Sequence, residues 1–371
     1  METQDLEKGS GQPLKQVLVT GAAGFIGYHT CQALLAQGVA VTGLDNLQES
    51  ADTALKADRL RDLGFDPAQI ATFLQNSANS LPSRGLPSTR HQEFRFFPAD
   101  IRDPKALQKA FDQDYDAVIH LAALVGVRNS IATPETYIDV NVQGFMNVLQ
   151  AAKTVRVGHL VYASSSSVYG LNRDIPFSPA HPVAHPVSYY AATKKANELF
   201  AHTYAHLHGT PLTGLRFFTV YGPWGRQDMA TYLFTRNIFE GRPIKVFNKG
   251  QMRRDFTFVE DIVAGILRVA AHPATSQSAA ATLRPDRSSA PHRVYNIGLG
   301  APVPLLDYIR ILEKLIGKTA QLDLQPHQPG DLVETYADIS GLREDFGYAP
   351  ATSLEAGLGK YVDWFKGYYG H

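Results

Sequence analysis

The chain has 371 residues, 44% of them hydrophobic and 19% charged, enough apolar material to bury a large core and so not a disordered chain. Thirty-five basic residues balance 35 acidic ones, so no charge excess points to nucleic acid or to an anionic membrane as a partner, and any bound anion must be held by a local site. The single cysteine, Cys31, excludes an internal disulfide framework and a cysteine zinc cluster. The polar, acidic start Met1–Asp5 does not read as a secretory signal and no apolar run approaches the ~20 residues that span a bilayer, so the expected compartment is the cytoplasm.

Val17-Leu18-Val19-Thr20, a β-branched run bounded by glycine, predicts the first strand. Phe25, Ile26, Cys31, Leu34 and Leu35 are spaced for one face of a helix over Phe25–Leu35, and Val39–Leu44 predicts a second strand. This βαβ unit implies parallel strands joined by a right-handed crossover. Further strands are expected at Phe94–Pro98, Ala117–Leu121, His159–Ala163 and Leu212–Phe217, with helices at Lys105–Phe111, Pro134–Val155 and Tyr190–His206. Such alternation predicts an α/β fold built on a doubly wound parallel sheet of the Rossmann kind. Beyond about Phe218 proline and glycine become frequent. Short strands are expected at Ile244–Phe247, Asp255–Phe258 and Val294–Ile297, and helices at Glu260–Ala271 and Leu305–Ile316. The expected organisation is a cofactor domain over 1–215 and a smaller C-terminal α/β lobe over 216–371, with the chain free to cross between them. Gln48–Arg90 resists assignment, and His272–Arg293 reads as a mobile surface loop.

Gly21-Ala22-Ala23-Gly24-Phe25-Ile26-Gly27 lies between the first strand and the first helix. Glycines there let the backbone turn tightly and approach a pyrophosphate at the helix N-terminus. The spacing is G-x-x-G-x-x-G, not the G-x-G-x-x-G of the plain dinucleotide fingerprint. Asp45 ends the second strand, where a carboxylate accepts hydrogen bonds from ribose hydroxyls and repels a 2′-phosphate, favouring NAD over NADP. The alternative is a turn or cap aspartate, for which Asp45-Asn46 also serves.

Tyr190 and Lys194 lie four apart at the start of a helix and share one face. Ala163-Ser164-Ser165-Ser166-Ser167-Val168-Tyr169-Gly170 follows a buried-type strand and puts hydroxyls at the C-terminal edge of the sheet, where ligands bind in such folds. A tyrosine with a free pKa near ~10 is a poor base at neutral pH. A lysine ammonium and a cationic nicotinamide nearby favour the phenolate, which can then take a sugar hydroxyl proton while hydride leaves the same carbon.

Together these segments resemble the extended short-chain dehydrogenase/reductase family over nearly the whole chain. Arg216-Phe217-Phe218-Thr219-Val220-Tyr221-Gly222-Pro223-Trp224-Gly225-Arg226, Gly250–Val259 and Tyr190–Glu198 look like UDP-glucuronate 4-epimerases. The resemblance implies NAD as cofactor. It assigns Gly21, Gly24, Phe25, Ile26 and Gly27 to the cofactor turn, Asp45 and Asn46 to the adenosine ribose, and Asp100 and Ile101 to the adenine. Leu121, Ala122, Ala123, Asn141 and Phe218, together with Tyr190 and Lys194, fall to the rest of the cofactor. Ser165 matches the hydroxyl that meets the reacting sugar oxygen, and Tyr190 and Lys194 match the base and its partner. Ser166, Thr219 and Arg226 match positions around the sugar and its carboxylate, and Arg254 matches the arginine on the diphosphate. The implied reaction is reversible inversion at C4 of a UDP-uronic acid. The implied assembly is a homodimer packed through Pro134–Val155 and Tyr190–His206.

Three segments depart from the family pattern. Gln328-Pro329-Gly330-Asp331 lacks an arginine carried by relatives, Gln48–Ala54 lacks an aromatic-rich loop, and His272–Arg293 is long. Dehydratases and decarboxylases of this fold carry an acidic residue where this chain has Ser166 and Ser167, and Arg226 counts against a neutral UDP-hexose 4-epimerase. A non-catalytic NAD-sensing protein would lose the tyrosine or the lysine. His202 and His206 share a helix face with no helix-borne glutamate inside that spacing, so a solvated face is the reading there, not a metal site.

Overall fold

The computed structural model describes residues 11–48, 53–66, 68–70, 84–277, 283–326 and 333–371. Strand β1 (Gln16–Thr20) leads into helix α1 (Phe25–Ala36) and strand β2 (Ala40–Asp45). Helix α2 (Thr53–Asp62) then precedes β3 (Leu86–Pro87), β4 (Phe94–Pro98), β5 (Tyr115–His120), β6 (Val157–Ser165) and β7 (Leu212–Phe217). The chain then leaves the sheet to form β8 (Thr219–Tyr221), β9 (Ile244–Val246) and β10 (Arg253–Phe258). It returns with β11 (His292–Ile297) and ends through β12 (Pro302–Pro304), β13 (Leu322–Leu324) and β14 (Glu334–Thr335).

The large sheet has the order β11-β7-β6-β5-β1-β2-β4-β3, parallel except for the antiparallel β3. Parallel strands are covered on both faces, which is why they read as continuous apolar runs: Val17, Leu18 and Val19 of β1 have no exposed surface. Crossovers starting from β1 run in both directions, so the carboxyl ends of β1 and β5 border the crevice where ligands sit in such sheets. The strand β11 and the helix Val259–Ala270, which packs against α1, belong to this layer although both lie beyond residue 216. The smaller layer joins β8, β10, β12 and β14. A separate core of Tyr221, Phe256, Tyr308, Leu312 and Phe365 fills the space between that layer and its helices.

Two expectations are corrected. Pro134–Val155 is not one helix: Pro134–Ile138 and Gly144–Ala152 flank a π turn at Asp139–Gln143. The inserted residue turns Asn141 inward, where its Oδ1 accepts from the Leu124 amide (2.8 Å) and its Nδ2 donates to the Leu124 carbonyl (3.0 Å) and Thr193 Oγ1 (3.1 Å). The described end of His272–Arg293 is not a loose loop. Asp286 is buried and accepts from Arg284 and Arg287, and Arg293 donates to the carbonyls of Thr275 and Ala290. In the unassigned stretch 48–90 the structure contains α2 and β3. Among the described residues no helix is long and apolar enough to cross a membrane.

Candidate active site

The glycine turn is shaped by close approach. Gly21 has φ +72°, and its amide donates to the Leu44 carbonyl (2.7 Å). A Cβ on Gly27 would lie 2.0 Å from the Gly21 carbonyl oxygen, and one on Gly21 would lie 2.8 Å from the Ala122 amide. The first turn of α1 therefore sits directly on the loop and aims its free amides outward, a cradle that fits a dinucleotide pyrophosphate. Phe25 is buried beneath it, and Ile26 is half-buried against the same core.

Asp45 is buried at the end of β2, where Oδ2 accepts from the Ala23 amide (3.2 Å) and Oδ1 from Leu47 (2.9 Å), with Lys56 Nζ at 3.4 Å. Asn46 donates to Asp100 (2.7 Å), and Arg102 clamps Asp100 and Asp139. Burial works to raise the Asp100 carboxyl, but the hydrogen bonds from Arg102 and Asn46 override it and hold the group below the usual range. Ile101 is buried against Gly144, and Leu121, Ala122 and Ala123 run half-buried along the crevice after β5. Thus most of the residues expected around a cofactor lie at the ends of β1, β2, β4 and β5. Phe218 follows β7, its ring buried against the stacked pair Tyr169 and Phe177.

Helix Tyr189–His208 starts at Ser188, whose side chain accepts from the Ala191 amide (3.1 Å) and so fixes the first turn. The helix lies along β6 and meets it twice. Tyr190 opens it beside the serines at the end of β6, and one turn later Lys194 Nζ donates to the Ala163 carbonyl (2.9 Å). Ser165 Oγ also accepts from the Ser167 amide (3.2 Å), while Ser166 is half-buried beside it.

Burial raises the Tyr190 phenol; the Ser165 hydrogen bond and the charge of Arg226 oppose it without reversing the direction. Burial alone lowers the Lys194 ammonium to about 8. The sequence places the lysine charge beside the phenol. In the structure the side chain runs down to β6 because a buried ammonium needs an acceptor, and it donates to the Ala163 carbonyl.

Arg226 reaches this face from the loop after β8, with Nε and Nη2 on the two oxygens of Asp228 (3.0 and 2.5 Å). Asp228 thus holds one edge of the guanidinium and orients it, while the Nη1 side of the fork is not engaged by Asp228. Thr219 begins β8, half-buried, in register with Phe256. Of the two adjacent arginines, Arg253 is exposed and pairs with Glu334, whereas Arg254 is half-buried and donates to the Val333 carbonyl (3.1 Å). Gln328–Asp331 and most of Gln48–Ala54 lie outside the described residues. His202 lies 2.8 Å from Ser288 Oγ, and among the described residues no group of His, Cys, Asp and Glu is placed to hold a metal ion.

Sequence reasoning gave no role to the layer beneath the serines. Glu198 accepts from Ser164 (2.7 Å) and from Arg216 Nε and Nη2 (2.8 and 2.9 Å), and Arg216 Nη1 donates to the Tyr169 hydroxyl (3.1 Å). The available signal was spacing, since Glu198 follows Lys194 by one helical turn and Arg216 sits in an otherwise apolar strand.

The chain matches the NAD dependent epimerase/dehydratase family over residues 17–298. Protein CapI of Staphylococcus aureus is 43% identical over 357 residues, covering 95% of this chain and 99% of that protein. UDP-glucuronate 4-epimerase 2 of Arabidopsis thaliana is 42% identical over 359 residues, covering 95% of this chain and 76% of that protein. The crystal structure of UDP-glucuronic acid 4-epimerase from Bacillus cereus in complex with UDP-glucuronic acid and NAD has 31% identity and a TM-score of 0.75, covering 95% of this chain and 100% of that one.

Proposed function

Because the chain belongs to the NAD dependent epimerase/dehydratase family, we propose that it interconverts UDP-glucuronate and UDP-galacturonate by inversion at C4 of the uronic sugar. The observation that carries this reading is the packing of the helix that bears Tyr190 along β6: Lys194 Nζ donates to the Ala163 carbonyl, two residues before Ser165, so the tyrosine and the serines share one end of the sheet. In this reading Tyr190 is the proton acceptor and Arg226 the partner of the sugar carboxylate.

The cofactor is NAD, for which the glycine cradle and Asp45 fit. When bound there, NAD would supply the hydride acceptor and donor for C4, with no net redox change over the cycle. In this mechanism Tyr190 receives the proton of the C4 hydroxyl and gives it back. Ser165 orients that oxygen, and Lys194 fixes the helix against β6 through Ala163. Arg226, oriented by Asp228, takes the sugar carboxylate with its remaining N–H donors, aided by Thr219 and Ser166, and Arg254 takes the diphosphate. The 4-keto sugar is a β-keto acid and readily loses carbon dioxide. Holding its carboxylate near the ring plane disfavours that loss.

The division near residue 215 into a cofactor lobe and a nucleotide-sugar lobe belongs to the same proposal, as does a homodimer. The dimer is supported by Leu199, Phe200 and Leu207 on one helix and Ile131 and Ile138 nearby, all exposed. A cytoplasmic setting is consistent with a single free, buried cysteine.

The test is NMR of UDP-glucuronate, and separately UDP-glucose, incubated with the purified protein and no added NAD. Appearance of UDP-galacturonate supports the substrate, the reaction and retained cofactor together. Conversion of UDP-glucose alone sinks the assignment.

A further inference from the structure

The helix α2 lies in the stretch that sequence patterns left unassigned, yet it touches both the cofactor turn and the loop that carries Arg226. Lys56 reaches Asp45 (3.4 Å), Asp62 accepts from the Tyr28 hydroxyl of α1 (2.7 Å), and Asp58 accepts from Tyr368 of the helix Leu354–Tyr369. Between them Arg59 is fully buried, and its fork opens onto two main-chain oxygens. Nη1 donates to the Ala23 carbonyl (2.8 Å), inside the glycine turn, and Nη2 donates to the Trp224 carbonyl (2.6 Å), two residues before Arg226.

The Trp224 end of this link is held in an unusual conformation. Trp224 has φ +61°, in the left-handed region that costs a bulky residue free energy and persists only where surroundings enforce it. Its ring packs on Tyr28, Trp364 and Tyr368, and the Pro223 carbonyl lies 2.9 Å from His29 Nε2. A planar guanidinium can serve two diverging carbonyls at once, whereas a lysine ammonium at the end of a single stem cannot span both in the same geometry.

We propose that Arg59 is a positioning residue for uronate recognition, tying the cofactor turn to the loop that presents Arg226 and so fixing where the carboxylate binds relative to C4. This rests on the reading of Arg226 as the carboxylate's partner. Because the link joins two backbones and touches neither uridine nor diphosphate in this reading, weakening it should separate recognition of the sugar acid from recognition of the nucleotide.

The experiment uses the holoenzyme with Arg59→Lys and, in parallel, Arg226→Ala. For Arg59→Lys the KM for UDP-glucuronate should rise about tenfold, while the Kd for UDP stays within about twofold and bound NAD per subunit is unchanged. An unchanged KM, or a parallel loss of UDP affinity and NAD, overturns the proposal in favour of a purely structural arginine. If Arg226→Ala leaves uronate KM unchanged, the reading beneath it fails. If Arg226→Ala raises KM and Arg59→Lys does not, only the positioning role fails. Should Arg59→Lys not fold, hydrogen exchange of the wild-type holoenzyme decides. The Arg226 amide should be protected before substrate is added, since the Gly225 amide is already held by the Gly222 carbonyl, and unprotected exchange at Arg226 overturns the proposal.

Discussion

Glu198 and Arg216 face each other across two parallel hydrogen bonds of 2.8 and 2.9 Å, with neither side chain reaching solvent. Burial would raise the Glu198 carboxyl, but the adjoining guanidinium outweighs it and holds the group down to about 2. Breaking such a pair from one side strands a buried charge and costs about 3–5 kcal/mol. Glu198→Gln should therefore unfold at markedly lower urea at pH 7. The carboxylate's contribution is complete above the ordinary glutamate pKa of ~4.3 and fades as pH falls toward the folded value, so the gap between wild type and variant should close between about pH 4 and 2. A gap independent of pH would contradict the pairing.

Lys194 illustrates the opposite sign. Its ammonium is lowered to about 8 by burial, so the folded state holds this proton less well than the unfolded chain does. The resulting penalty is present below about pH 8 and is relieved as pH rises toward ~10.4. Lys194→Met should raise stability at pH 7 by about 1–3 kcal/mol while lowering kcat by about 10²-fold or more. Thermal unfolding at pH 7 and pH 10 checks it, with the stabilisation shrinking at the higher pH.

Gly27→Ala addresses the cofactor cradle. The added Cβ meets the Gly21 carbonyl at 2.0 Å, backbone against backbone, so the turn must open. The variant should purify with NAD content reduced at least about tenfold, read from nucleotide released on denaturation. Full retention would place the pyrophosphate elsewhere.

Asp228 competes for Arg226, and its removal should help binding. Asp228→Asn should lower the KM for UDP-glucuronate by about three- to tenfold, because a neutral amide on Nε and Nη2 no longer repels the second carboxylate or offsets the guanidinium's charge. Arg226→Ala should do the reverse and release UDP-pentose by decarboxylation of the 4-keto sugar, detectable by NMR. Absence of pentose would mean that other groups protect the carboxylate.

What could be read before the structure follows the range of the forces involved. Val17–Thr20, the glycine turn and Phe94–Pro98 are decided by local pattern and burial, and strands and helix appear where periodicity puts them. Pro134–Val155 is apolar at helical spacing throughout. Its π turn exists because Asn141 bonds Leu124, a partner distant in sequence that no local pattern reports. Tyr190, Lys194 and Ser165 were legible as a set, but the direction of the lysine was not, since the Ala163 carbonyl offers no side-chain signal. The Arg59 link was invisible for the same reason: the Ala23 and Trp224 oxygens that it joins belong to the backbone.

The return of β11 to the large sheet bears on how the chain is made. It pairs with β7 over six residues, from His292–Leu212 to Ile297–Phe217. Until the ribosome has released nearly 300 residues, β7 is an open edge in a hydrophobic layer, a template for pairing with another nascent chain. A fragment ending near residue 215 would keep that edge for good, and should aggregate although it carries the whole glycine cradle.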